Sequence, residues 1–111
     1  MAYDEDLANR IRQLLSDEKR VTEKAMFGGL AFMVDGKMAV AAGSKGDILA
    51  RVDPAEMDEL MATTAAEVAT MGQREMHGWV TVEPEHLATE EQLSAWVRRG
   101  VAYARSLPAK R

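Results

Sequence analysis

Three features of the sequence predict an α+β fold, two layers deep, with a mainly antiparallel sheet. Apolar residues recur at helical spacing near both ends of the chain, while alternating or continuous apolar runs of strand length fill the middle. Between two of those runs lies Asp35-Gly36, which suits a type I′ hairpin turn. The expected order is helix, three or four strands, helix, two strands, helix, in a single domain over residues 1–111.

Asp4, Glu5 and Asp6 place negative charge where a first helical turn favours it, and Leu7, Ile11, Leu14 and Leu15 supply the apolar stripe. A helix is expected from Asp4 to Ser16. The charged stretch Ser16 to Arg20 connects it to a strand over Val21 to Phe27, which breaks at Gly28-Gly29 and lets the chain bend. Leu30 to Val34 and Lys37 to Ala42 flank the Asp35-Gly36 turn, and the loop Gly43-Ser44-Lys45-Gly46 leads to a strand over Asp47 to Val52. Asp53-Pro54-Ala55-Glu56 offers an N-cap, a proline at the first helical position and a capping-box glutamate, so a second helix should run from Pro54 to Thr63. Ala66 to Met71, Gly72-Gln73 and Met76 to Glu83 read as a second, looser hairpin closed by Pro84. Thr89-Glu90-Glu91-Gln92 is another capping box, and Leu93, Trp96, Val97, Val101 and Ala104 carry the last helix to Leu107 and Pro108.

A two-residue turn at Asp35-Gly36 sets Met33 opposite Met38, Phe32 opposite Ala39 and Ala31 opposite Val40. One face of the hairpin then carries Ala31, Met33, Met38 and Val40, and the other Leu30, Phe32, Val34, Ala39 and Ala41. Both faces are apolar. A sheet with one wet face alternates apolar with polar, so the sequence calls for cover on both sides by helices, a second subunit or a partner.

Composition narrows the functional classes. The chain is 47% hydrophobic and 29% charged, which excludes a disordered tail, and none of its apolar runs is long enough to span a bilayer. Eighteen acidic against fourteen basic residues give a net charge of -4, which disfavours direct nucleic-acid or anionic-lipid binding. With no cysteine, disulfides, thiol chemistry and Cys-ligated metals are excluded, and without a signal-like start the expected compartment is the cytoplasm.

No motif points to catalysis. The bases on offer, His77 and His86, fall in no catalytic pattern, and Glu83, Glu85 and His86 lack a second histidine at ligand spacing, so neither a metal nor a cofactor is expected. Gly43-Ser44-Lys45-Gly46 lacks the residue order of a phosphate loop. Eight methionines fit core packing or an adaptable binding surface. Arg51 is a basic residue in an otherwise apolar strand, and Trp79 follows Gly78 in another. Either could be a structural residue or part of a cleft.

Met26-Phe27-Gly28-Gly29 followed by strand, Asp35-Gly36 turn and strand resembles the N-terminal domain of the TfoX/Sxy family. Ile48 to Val52 leading into Asp53-Pro54, and Met76-His77-Gly78-Trp79-Val80 before a long last helix, add to the resemblance, which covers nearly the whole chain. It implies a compact α+β fold similar to secretion chaperones and a link to regulation of bacterial competence genes. Longer members carry a second domain, and this chain stops at Arg111 without one, so it reads as a stand-alone N-terminal domain. The expected function is that of a non-enzymatic regulatory or adaptor domain acting through protein contacts as a homodimer. Its contact site would be the bend at Phe27, Gly28 and Gly29 with Arg51 and Trp79. The alternative is a small-ligand or enzymatic cleft near Phe27, Arg51 and Trp79.

Overall fold

The computed structural model describes residues 4–26, 29–71 and 74–107. In chain order the elements are α1 (Glu5–Leu14), β1 (Val21–Met26), β2 (Gly29–Val34), β3 (Lys37–Ala42), β4 (Ile48–Arg51), α2 (Met57–Thr63), β5 (Glu67–Met71), β6 (Arg74–Val82) and α3 (Glu90–Ser106). The strands form one antiparallel sheet in the order β1-β2-β3-β4-β6-β5. This is the α+β class and the element order expected from the sequence, with four strands before α2.

Local chemistry accounts for most of the boundaries. The Asp4 carboxylate accepts a hydrogen bond from the Leu7 amide at 3.0 Å and starts α1, whose Leu7, Ala8 and Ile11 turn inward. α1 stops at Leu14, short of the expected Ser16. Thr89 and Gln92 form the full reciprocal capping box of α3. The equivalent box at Asp53 does not form. Asp53 caps the Ala55 amide at 2.9 Å, but Glu56 pairs with Arg99 instead, so Pro54–Glu56 is a 3-10 turn and α2 begins only at Met57. At the β2–β3 turn, Asp35 at φ 54° and Gly36 at φ 79° take the two positive angles that a type I′ turn requires.

The β2–β3 register departs from the regular hairpin. Val34 pairs with Lys37 and Met33 with Met38, but a bulge then sets Phe32 opposite Val40 and Ala31 opposite Ala41. Ala39 is the extra residue, and every later residue of β3 changes face. Leu30, Phe32, Val34, Val40 and Ala42 therefore share one side, while Ala31, Met33, Met38 and Ala41 share the other. The bulge sits against α3. A Cβ on Gly100 would come within 2.5 Å of the Ala39 carbonyl oxygen, so the bulged strand and the helix backbone touch directly.

All three helices cover the first side. Leu7, Ile11, Met57, Leu60, Leu93, Trp96 and Val97 form one buried cluster with Phe32, Val40, Ile48, Ala50, Val80 and Val82. Arg12 on α1 adds an ion pair to Glu23 on β1 at 2.7 Å, and its hydrogen bonds hold the Glu23 carboxyl below the usual glutamate range. Arg105 near the end of α3 reaches Glu18 at 2.8 Å and Asp35 at 3.3 Å, which ties the helix to the hairpin turn.

Gly100→Ala gains about 1 kcal/mol of helix propensity, yet it drives a methyl into the Ala39 carbonyl. Overpacking against backbone costs about 1–3 kcal/mol, so the clash wins. Thermal unfolding should show a net loss of stability, and an unchanged or higher melting temperature would contradict this contact.

Candidate functional site

The second side of the sheet carries no helix among the described residues. Ala31, Ala41 and Ala69 are buried there, yet they lie outside the cluster that the helices complete. Around them Met33, Met38, Leu49, Met76 and Trp79 are half-exposed. The expectation that both sides of this hairpin are apolar holds, although the bulge exchanges Val40 and Ala41 between them.

Register fixes how this bare face is laid out. Lys24 lies opposite Ala31, Ala31 opposite Ala41, Ala41 opposite Leu49, Leu49 opposite Thr81, and Thr81 opposite Glu67. One row thus crosses all six strands from a lysine at one edge to a glutamate at the other. Small alanines at the middle of the row leave a groove of about 360 Å³ beside Leu49, walled by Met38, Met76 and Trp79, with Thr81 and Asp47 on its lining.

Arg51 and Trp79 are brought together, since the two residues are register partners on β4 and β6. Gly78, at φ 89°, bends β6 just before Trp79, and its carbonyl accepts the Val52 amide at 2.8 Å. The Arg51 guanidinium then lies 5.0 Å from the centre of the Trp79 ring and 6.0 Å from that of Tyr103 on α3. It is held by rings from both layers. Trp79 lines the groove and Arg51 does not.

Gly29 also lines the groove, and a Cβ there would come within 2.5 Å of the Ala42 carbonyl oxygen, so its absence permits close strand packing. Phe27 and Gly28 lie outside the described residues. The residues that sequence reasoning passed over are Leu49, Thr81, Lys24 and Glu67. Each falls on the bare face only through register, and Leu49 could have been found from its alternation with Ile48 and Ala50.

Among the described residues no group of three or more histidines and carboxylates is placed to hold a metal ion. His86 is half-exposed in the Pro84–His86 turn, 4.0 Å from Glu85. No helix of the described residues is long and apolar enough to cross a membrane.

A cation–π contact at a partly exposed site contributes about 0.5–1 kcal/mol. Arg51→Ala should therefore destabilise the fold by about 1 kcal/mol, a fall of about 5 °C in melting temperature. Thermal unfolding of Arg51→Ala beside Arg51→Lys reads this directly, and an unchanged melting temperature for the alanine variant would mean that the ring contacts contribute nothing to stability.

No curated protein and no solved structure matches the chain. The family model described as the TfoX N-terminal domain matches residues 13–104, a span that runs from within α1 through most of α3 and includes the whole sheet. The chain belongs to the TfoX N-terminal domain family.

Proposed function

We propose that this domain is a non-enzymatic adaptor that works by protein contact, with the bare face of its sheet as the contact surface and a second copy of the chain as its first occupant. The observation that carries this reading is the face itself. It spans six strands, its centre is alanine, leucine, methionine and tryptophan, and the three helices all lie on the other side. Five strand spacings and about six residues per strand give a footprint of about 24 by 20 Å. That footprint is about 480 Å² per copy, with Ala31, Ala41 and Ala69 buried in its floor and Met33, Met38, Leu49, Met76 and Trp79 partly exposed on it. Doubled over two copies, it comes to about 960 Å², close to the floor of about 1,000 Å² for a specific interface. The adaptor, a member of the TfoX N-terminal family, is proposed to act in the regulation of competence or of gene expression, in the cytoplasm, with the paired unit presenting its helical layers to further protein partners.

The groove favours a second reading. Its volume of about 360 Å³ falls within the range of small-molecule sites, and Trp79 and Leu49 could hold an apolar ligand there. The two readings differ in oligomeric state. Sedimentation equilibrium at micromolar concentration should give twice the chain mass of 12.2 kDa, and Leu49→Glu, which puts a carboxylate at the middle of the face, should give the monomer. A monomeric wild type would sink the adaptor reading and leave the ligand site.

Direct recognition of duplex DNA is not part of the proposal. The net charge is -4, and Arg12, Arg20, Arg99 and Arg105 each hold a carboxylate of the same chain at 2.7 to 3.4 Å. Anisotropy titration with random and promoter-like duplexes at about 0.15 M salt should show binding no tighter than about micromolar. Sub-micromolar binding would overturn this expectation.

A further inference from the structure

Lys24 and Glu67 are exposed at opposite edges of the bare face, and neither has an ion-pair partner among the described residues. They belong to the same cross-strand row, separated by five strand spacings, or about 24 Å. The order along that row is Lys24, Ala31, Ala41, Leu49, Thr81, Glu67. Read backwards, it is complementary to itself: a cation meets an anion at each end, and in the middle the small Ala41 meets the large Leu49.

Resting on the reading that the bare face takes a second copy, we propose that two copies stack face to face about a two-fold axis that runs parallel to the strands, between β3 and β4. That axis keeps each residue at its own level and reverses its place across the sheet. Lys24 of each copy then meets Glu67 of the other, and Leu49 of each enters the space over Ala41 of the other. Met33 is carried toward Trp79 of the second copy, a sulfur–aromatic contact. The alternative two-fold, perpendicular to the strands, would set Lys24 over Lys24 and Glu67 over Glu67 and is disfavoured by repulsion. Sheets packed face to face lie about 10 Å apart, a gap that a lysine and a glutamate side chain close between them. The axis makes the interface isologous, so every contact occurs twice.

Both charges lie on edge strands and can be reversed without touching the core. Lys24→Glu alone sets two carboxylates against each other at both ends of the row, and Glu67→Lys alone sets two ammonium groups against each other there. Each variant, confirmed folded by circular dichroism, should raise the dimer Kd about tenfold in sedimentation equilibrium at low salt. Two combinations should restore wild-type association: the double variant by itself, and an equimolar mixture of the two single variants, whose charges are complementary only in the heterodimer. A wild-type dimer that Leu49→Glu splits but that neither charge reversal weakens would overturn this arrangement and leave the bare-face contact standing. A wild-type dimer insensitive to Leu49→Glu, or a wild type that stays monomeric, would overturn both.

Discussion

The seat of α3 on β3 is the contact on which the other features of the molecule depend. Gly100 lets the helix backbone meet the strand at Ala39, and the strand meets it with a bulge that adds one residue between Met38 and Val40. Without the extra residue Val40 would point away from the helices and Ala41 toward them. With it, Val40 and Ala42 join Leu30, Phe32 and Val34 under α3, and the other side of the same two strands is left with alanines and methionines. The side on which the end of β3 packs is thus set at one short helix–strand contact.

Much of this fold is legible in the sequence because its signals are local. The Asp35-Gly36 turn, the Thr89 to Gln92 capping box and the stripe of the last helix each depend on residues a few positions apart, and the structure reproduces all three. The bulge is not legible, because the contact it makes is with Gly100, far along the chain from Ala39, and a helical glycine does not announce what it approaches. The Asp53 capping box failed for a similar reason: Glu56 had a distant competitor in Arg99, and the ion pair across the surface took the carboxylate that local pairing expected. The face of the sheet that matters most could be inferred as apolar, but its layout needed the pairing of β4 with β6, which no short-range pattern specifies.

Arg51 illustrates how a residue with an ambiguous sequence signature acquires a definite place. A cation in an apolar strand could be a fixture of a pocket or an edge charge. Here its guanidinium bridges Trp79 on the sheet and Tyr103 on α3, so it joins the two layers near the end of β4. Trp79 has a second surface on the groove. The arginine can therefore influence the bare face without lining it, by holding the aromatic wall that does.

Four of the five strand pairings join consecutive strands, and only β4 with β6 spans α2 and β5. The sheet is in effect a four-strand meander and a two-strand hairpin sealed along one seam. Local pairings close short loops at small entropic cost, whereas the seam must order a longer stretch of chain before its contacts form. The two edges of that seam, Ile48 to Arg51 and Trp79 to Val82, also supply Leu49, Thr81 and Trp79 to the bare face. Until the seam closes, the face does not exist as a continuous surface, so the same long-range pairing that completes the sheet also completes the apolar patch.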